Sequence, residues 1–147
     1  MNPSPFTGSR TQLVNQLVFW DEEKANFLNR YFPLNNKDRG MTDQLITKYS
    51  KALVPILSNL EETIHSQVLI GSRVIVRYVD DQTLETFTVV YPSQADPDHN
   101  LISFLSPLGM QLLLSNHEEI HSIQTPSGSY EIKVDQIQFV NKGEFNE

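Results

Sequence analysis

The chain has no cysteine, which removes disulfide scaffolds, thiolate nucleophiles and cysteine-held metals together. It has no apolar run near the twenty residues a membrane-crossing helix needs, and no signal-peptide pattern. The expectation is a cytoplasmic protein with no membrane partner. Positive charge is scarce, with 11 Lys and Arg against 18 Asp and Glu and a formal net charge of -7. Gripping nucleic acid requires Lys and Arg to neutralise phosphates, so no direct nucleic-acid binding is expected and the macromolecular partner should be another protein. No G-x-G-x-x-G, P-loop or G-x-S-x-G pattern occurs, and the Ser and Thr residues have no recognisable base. No catalytic residue, no cofactor and no enzyme activity are therefore assigned. What remains is 147 residues, 39% of them hydrophobic, enough for one good core or two small ones.

Residues 1–10 carry Pro3, Pro5 and Gly8 with little apolar content, which predicts a mobile arm. Leu13, Val14, Leu17, Val18, Phe19 and Trp20 are apolar enough to be buried, in a helix or a short extended piece. Asp21, with Glu22 and Glu23 behind it, reads as a helix start, because an N-cap oxygen and early acids suit that end. Ala25, Leu28 and Phe32 then recur at helical spacing, and Pro33 stops the helix. Leu34 to Gly40 reads as a polar turn, and Thr42 and Asp43 as the opening of a second helix. Its apolar stripe is Leu45, Tyr49, Leu53, Ile56, Leu60 and Ile64, which suits packing against the first helix as an antiparallel helical hairpin over residues 11–67. Pro55 lies inside that stripe and predicts a kink or break near Val54.

The pattern then changes. Val74, Val76 and Tyr78, and again Phe87, Val89 and Tyr91, alternate at period two around a turn at Asp80-Asp81-Gln82. Leu101 to Leu105 reads as a strand and Met110 to Leu114 as an apolar helix, with Ser106 as its N-cap and Pro107 as its first residue. Thr125-Pro126-Ser127-Gly128 is a turn before a last strand holding Tyr130, Ile132, Val134, Ile137 and Phe139. The change of phase at Asp135-Gln136 marks a bulge.

Taken in order, Gly71-Ser72-Arg73-Val74, Val89-Val90-Tyr91-Pro92, Ser106-Pro107-Leu108-Gly109 and the Thr125–Gly128 turn resemble the C-terminal domain of the Gre transcription factor family. Within it the likeness is nearest to the small regulators of nucleoside diphosphate kinase, which share the Ser-Arg-Val opening and the Val-Tyr-Pro phrase. That family usually places a Gly after the apolar helix and a Gly-Asp pair before the next strand. Here the run is Ser115-Asn116-His117-Glu118-Glu119. The resemblance implies an α+β chain: a helical hairpin forming a short coiled coil, then, over residues 68–140, an antiparallel sheet wrapped around one short helix as in FK506-binding prolyl isomerases. Residues 141–147 form a tail. Fold alone does not carry isomerase activity.

Two local patterns imitate metal sites. His117-Glu118-Glu119-Ile120-His121 matches H-E-x-x-H, the signature of a zinc hydrolase, which works only on a helix where both His share one face. Here Asn116 reads as a helix end and Ile120 and Ile123 as a strand, along which residues four apart lie about 13 Å from each other. Asp96, Asp98 and Asn100 imitate the start of a calcium loop, but Leu101 and Pro107 stand where glycine and the acidic ligand belong. An acidic, solvated hairpin loop is the expected reading, and no metal site is assigned.

Two segments remain as candidate contact sites. Ser106, Pro107 and Leu108 start a helix, and the resemblance implies that they also lie on the surface gripping the rim of the RNA polymerase secondary channel. The hairpin tip is Asn36, Lys37, Asp38 and Arg39. Gre factors that stimulate transcript cleavage carry paired acids there, because a shared divalent cation must be held by converging negative oxygens. One carboxylate between two cations predicts no cleavage stimulation, and a first helix of about twelve residues would span only about 18 Å. The expected function is a non-catalytic transcription regulator bound to RNA polymerase near its secondary channel. The second reading is a regulator of nucleoside diphosphate kinase.

Overall fold

The computed structural model describes residues 6–140, and the chain divides into two compact units, one ending at Glu61 and the next beginning at Glu62. The first unit is a helical hairpin of α1 (Thr7–Tyr31) and α2 (Lys37–Ser58), followed by a single turn, α3 (Leu60–Thr63). On α1 the buried positions include Leu13, Gln16, Trp20 and Phe27, three, four and seven residues apart. On α2 they are Thr42, Ile46, Tyr49, Leu53 and Ile56, alternating by four and three. Each set forms one stripe, and the two stripes face each other. Trp20 meets Phe19 and Phe27 edge to face at 4.8 and 5.0 Å between ring centroids, a favourable geometry for aromatic pairs. A polar chain crosses this core. Tyr49 donates its hydroxyl hydrogen to Gln16 Oε1 at 2.5 Å, and Gln16 Nε2 donates to Gln12 Oε1 at 2.6 Å. All three residues are at most 1% exposed.

Several expectations are corrected here. The arm of residues 1–10 ends sooner, because α1 is already helical from Thr7; residues 1–5 lie outside the described residues, as does the predicted tail at 141–147. Asp21 is not a helix start. No Pro or Gly interrupts the chain between Gly8 and Pro33, so the helix runs through, and Asp21 and Glu22 sit on its exposed side. Ala25 is exposed too, so the buried stripe runs through Trp20 and Phe27, with Leu28 buried as expected. At 25 residues, α1 is about 37 Å long at 1.5 Å per residue, twice the expected reach. The second helix opens at Lys37, not Thr42: Asn36 Oδ1 accepts from the Arg39 amide at 3.2 Å and caps it. Ile46, not Leu45, carries its buried stripe. Pro55 does not break α2, which continues to Ser58. The break comes at Asn59, whose amide reaches back only three residues, to Ile56 O at 3.2 Å.

The second unit is a five-stranded sheet with one inserted helix. Its elements are β1 (Ser72–Tyr78), β2 (Leu84–Val90), β3 (Leu101–Ser103), α4 (Pro107–Leu112), β4 (Ile120–Thr125) and β5 (Gly128–Phe139), in the spatial order β3-β2-β1-β5-β4. β1 and β2 form a hairpin whose turn is tied by the Tyr78 amide on Thr83 O at 2.8 Å. Thr125 pairs with Gly128 across the β4–β5 turn, where Gly128 takes φ +134°, a backbone that side chains resist. Ile75 pairs with Gln136 and Val76 with Val134, so Asp135 is the extra residue of the bulge read at that position. The sheet is mixed, not purely antiparallel, since β3 runs parallel to β2. The connection from 91 to 100 folds through two 3-10 turns, Pro92–Gln94 and Pro97–His99, and carries the chain back to start β3 beside Thr88. It is therefore no hairpin loop. One sheet face carries the core, with Val74, Val76, Val89, Ile132 and Val134 at 0% exposure. α4 packs beside β3 and β4.

Candidate functional site

The helix start at Ser106 forms as its residues dictate. Ser106 lies in extended backbone, its Oγ accepts from the Gly109 amide at 3.0 Å, and Pro107 occupies the first helical position, where no amide hydrogen is needed. The helix begins at Pro107 as the cap dictates and ends at Leu112, two residues before the apolar run does. Ser106 Oγ also donates its hydrogen to Ser103 O at 2.7 Å. The hydroxyl proton is thus committed inside the unit, and the outward features of the phrase are the exposed Pro107 ring and the half-buried Leu108. Gly109 lies against β3: a Cβ there would come within 2.0 Å of Ser103 O.

At the hairpin tip, Asn36, Lys37 and Asp38 are exposed. Arg39 has a role that spacing did not reveal. Its Nη1 donates to Phe32 O at 2.8 Å and its Nη2 to Asn29 Oδ1 at 3.0 Å, tying the start of α2 to the end of α1. The signal available in sequence was a cation placed where carbonyls at a helix C-terminus need donors. Asp38 is the tip's one carboxylate, so the tip presents no converging oxygens.

The H-E-x-x-H match lies in a turn and on β4, not on a helix, and Glu118 takes φ 72°. His117 Nε2 donates to Asp135 O at 2.9 Å, whereas His121 Nε2 lies 2.7 Å from Ser115 Oγ and 2.9 Å from Glu119 Oε2. The rings serve different partners. Burial raises the Glu119 carboxyl, but hydrogen bonds from Asn116 and the neighbouring His121 outweigh it and leave its pKa lowered. Ser115, His121 and Glu119 do not make a relay, since hydroxyl and carboxylate meet the same ring nitrogen and Ser115 Oγ donates to Gln111 O at 2.9 Å. In the other imitation, Asp96 Oδ1 accepts from the Asp98 amide and Asp96 Oδ2 lies 2.7 Å from His99 Nδ1. Asn100 turns its amide to Thr86 O. These groups hold a loop together. Among the described residues no group of three or more His, Asp or Glu could hold a metal ion, and no helix is long and apolar enough to cross a membrane.

The chain is thus a helical hairpin leading into a mixed sheet with one capped helix. The family model "Transcription elongation factor, GreA/GreB, C-term" matches residues 63–139, and the chain belongs to the GreA/GreB family. The Desulfovibrio desulfuricans transcription elongation factor GreA is 30% identical over 127 residues, covering 84% of this chain and 78% of that protein. The Chloroflexus aurantiacus factor is 36% identical over 74 residues, covering 50% of this chain and 47% of that one; the chain spans about half the length of that relative. A GreA/GreB factor of known structure from Nitrosomonas europaea shares the fold, with a TM-score of 0.56, 19% identity and coverage of 87% of this chain and 94% of that one.

Proposed function

We propose that this chain is a non-catalytic regulator that binds RNA polymerase at or near its secondary channel, docking through the second unit and presenting the hairpin as an arm. The observation that carries the reading is the family match over residues 63–139, within which Pro107 and Leu108 project from a cap whose polar groups are already satisfied internally. Pro107 and Leu108 supply an apolar contact, and Ser106 holds them in place. The length of α1, about 37 Å, gives the arm the reach to enter a channel. Its tip does not stimulate transcript cleavage, because Asp38 stands between Lys37 and Arg39 with no second carboxylate to share a magnesium ion. We also read the second unit as an FK506-binding-type sheet around α4. The Ser72-Arg73-Val74 and Val90-Tyr91-Pro92 phrases support placement beside the regulators of nucleoside diphosphate kinase.

The test is binding of the purified protein to bacterial core RNA polymerase with an authentic Gre factor as competitor. Saturable binding that the competitor displaces, and that Ser106→Glu weakens while Asp38→Ala leaves it unchanged, is expected. No binding at micromolar protein would overturn the reading and turn attention to the kinase.

A further inference from the structure

Between residues 62 and 140 the chain holds three Lys and Arg against ten Asp and Glu, and all three cations lie on one surface. In a strand alternate residues share a face, and directly paired residues on neighbouring strands share it too. Arg73 and Arg77 therefore point to the side of β1 away from buried Val74 and Val76. Arg77 pairs with Leu84 on β2 and with Lys133 on β5, and Lys133 pairs with Ile120 on β4. The result is a single row across four strands: Leu84, Arg77, Lys133, Ile120. Its ends are exposed large apolar side chains, Leu84 at 54% and Ile120 at 55%. Its middle is a pair of like charges directly opposite each other, an arrangement that costs stability. Exposed Glu131 shares that face of β5, two residues before Lys133, and one carboxylate pairs within the row. The bulge turns Asp135 onto Arg77, with oxygens 3.2 and 3.5 Å from the guanidinium. Among the described residues Lys133 makes no ion pair, and Arg73 meets only the neutral Gln138 amide, at 3.0 Å.

We propose that this open sheet face is a docking surface for an acidic amphipathic helix of a partner protein lying across the strands. Strands are spaced about 4.8 Å apart, so the row places its four side chains at about 0, 5, 10 and 14 Å. A helix rising 1.5 Å per residue presents positions i, i+3, i+7 and i+10 on one face at about 0, 4.5, 10.5 and 15 Å. The matching stripe is apolar, acidic, acidic, apolar. The two carboxylates complement Lys133, which has no ion pair among the described residues, and Arg77, which Asp135 neutralises only in part, and the outer apolar residues cover Leu84 and Ile120. This surface does not include Ser106, Pro107 or Leu108, so it is independent of the polymerase reading.

The experiment titrates the full chain with a fluorescein-labelled alanine-based helical peptide carrying Leu at i and i+10 and Glu at i+3 and i+7. Amide chemical shifts locate the site. Saturable binding is expected, with shifts on β2, β1, β5 and β4, at least tenfold weaker for Lys133→Glu and for a peptide with both Glu changed to Gln, and unaffected by Ser106→Glu. A peptide with Lys at i+7 should restore binding to the Lys133→Glu variant. Lys133 lies outside the core, and a matching amide spectrum would show that the variant is folded. Absence of binding, shifts on other elements, or equal affinity for the Gln peptide would overturn the proposal. So would a fifteen-residue oligothymidine that binds the same face more tightly, since that would assign the cations to nucleic acid.

Discussion

Replacing Gly109 by alanine tests how α4 is seated. The new Cβ would stand 2.0 Å from Ser103 O and 3.0 Å from Phe104 Cα, both backbone atoms, so no side-chain rotation relieves the clash. Ordinary contact needs more than 1 Å of additional separation. Ser103 O cannot yield freely, because it also accepts from the Ser106 amide at 3.0 Å and from Ser106 Oγ at 2.7 Å. Overpacking of this kind costs about 1–3 kcal/mol, and disturbing the cap adds about 1 kcal/mol. Alanine's better helix propensity returns about 1 kcal/mol. A net loss of about 2 kcal/mol should lower the urea midpoint of this unit by about 2 M, taking a slope of about 1 kcal/mol/M for a unit of this size. Near-ultraviolet circular dichroism from the buried Tyr91–Phe104 pair, with ring centroids 6.1 Å apart, reports the transition. A midpoint within about 0.3 M of the parent would refute the seating described for α4.

Gly40→Ala should act in the opposite sense, since nothing lies within 4 Å of a Cβ there and the residue is in exposed helix; a gain of about 1 kcal/mol, followed by Trp20 fluorescence in urea, is expected. Arg39→Ala removes the donors to Phe32 O and Asn29 and should cost about 1 kcal/mol by the same assay, with Lys37→Ala neutral as the comparison. The Phe139 amide donates to His65 Nδ1 at 2.9 Å, and burial holds the His65 pKa below its ordinary 6.5. Below pH 6.5 the unfolded chain therefore binds more protons than the native state, so this contribution is complete above 6.5 and is lost as pH falls from there toward the lower native value. Urea midpoints across that window should decline for the parent and decline less for His65→Gln; identical slopes would count against the assignment.

The sheet unit was largely legible because its signals are local. Ser106 and Pro107 dictate a helix start by chemistry that needs no distant partner, and the phase change at Asp135 records the bulge in the spacing of side chains alone. The hairpin was harder to read. Asp21-Glu22-Glu23 has the composition of a helix start, yet the same acids are at home on the exposed side of a helix that began two turns or more earlier, and only the packing of Leu13, Gln16 and Trp20 on α2 distinguishes the cases. Pro55 was read from its missing donor, but one lost bond within a helix anchored by Leu53 and Ile56 does not end it. The parallel placement of β3 depends on how ten loop residues fold back, which no periodicity records. The row from Leu84 to Ile120 is likewise invisible until strand register is known.

The Gln12–Gln16–Tyr49 chain works as a key in a keyway. Sliding α1 by a turn along α2 so that Trp20 takes the place of Gln16 would part Tyr49 from Gln16 and strand a hydroxyl and an amide in a dry interior, at about 1–3 kcal/mol for each group left unmade. A seam of leucines alone would tolerate that slip at far lower cost. The hairpin therefore has little backlash in that direction: a pull applied at Asp38 travels the length of the helices instead of being absorbed by slippage between them, and the turn beside Asp38 keeps one rotational setting about the hairpin axis.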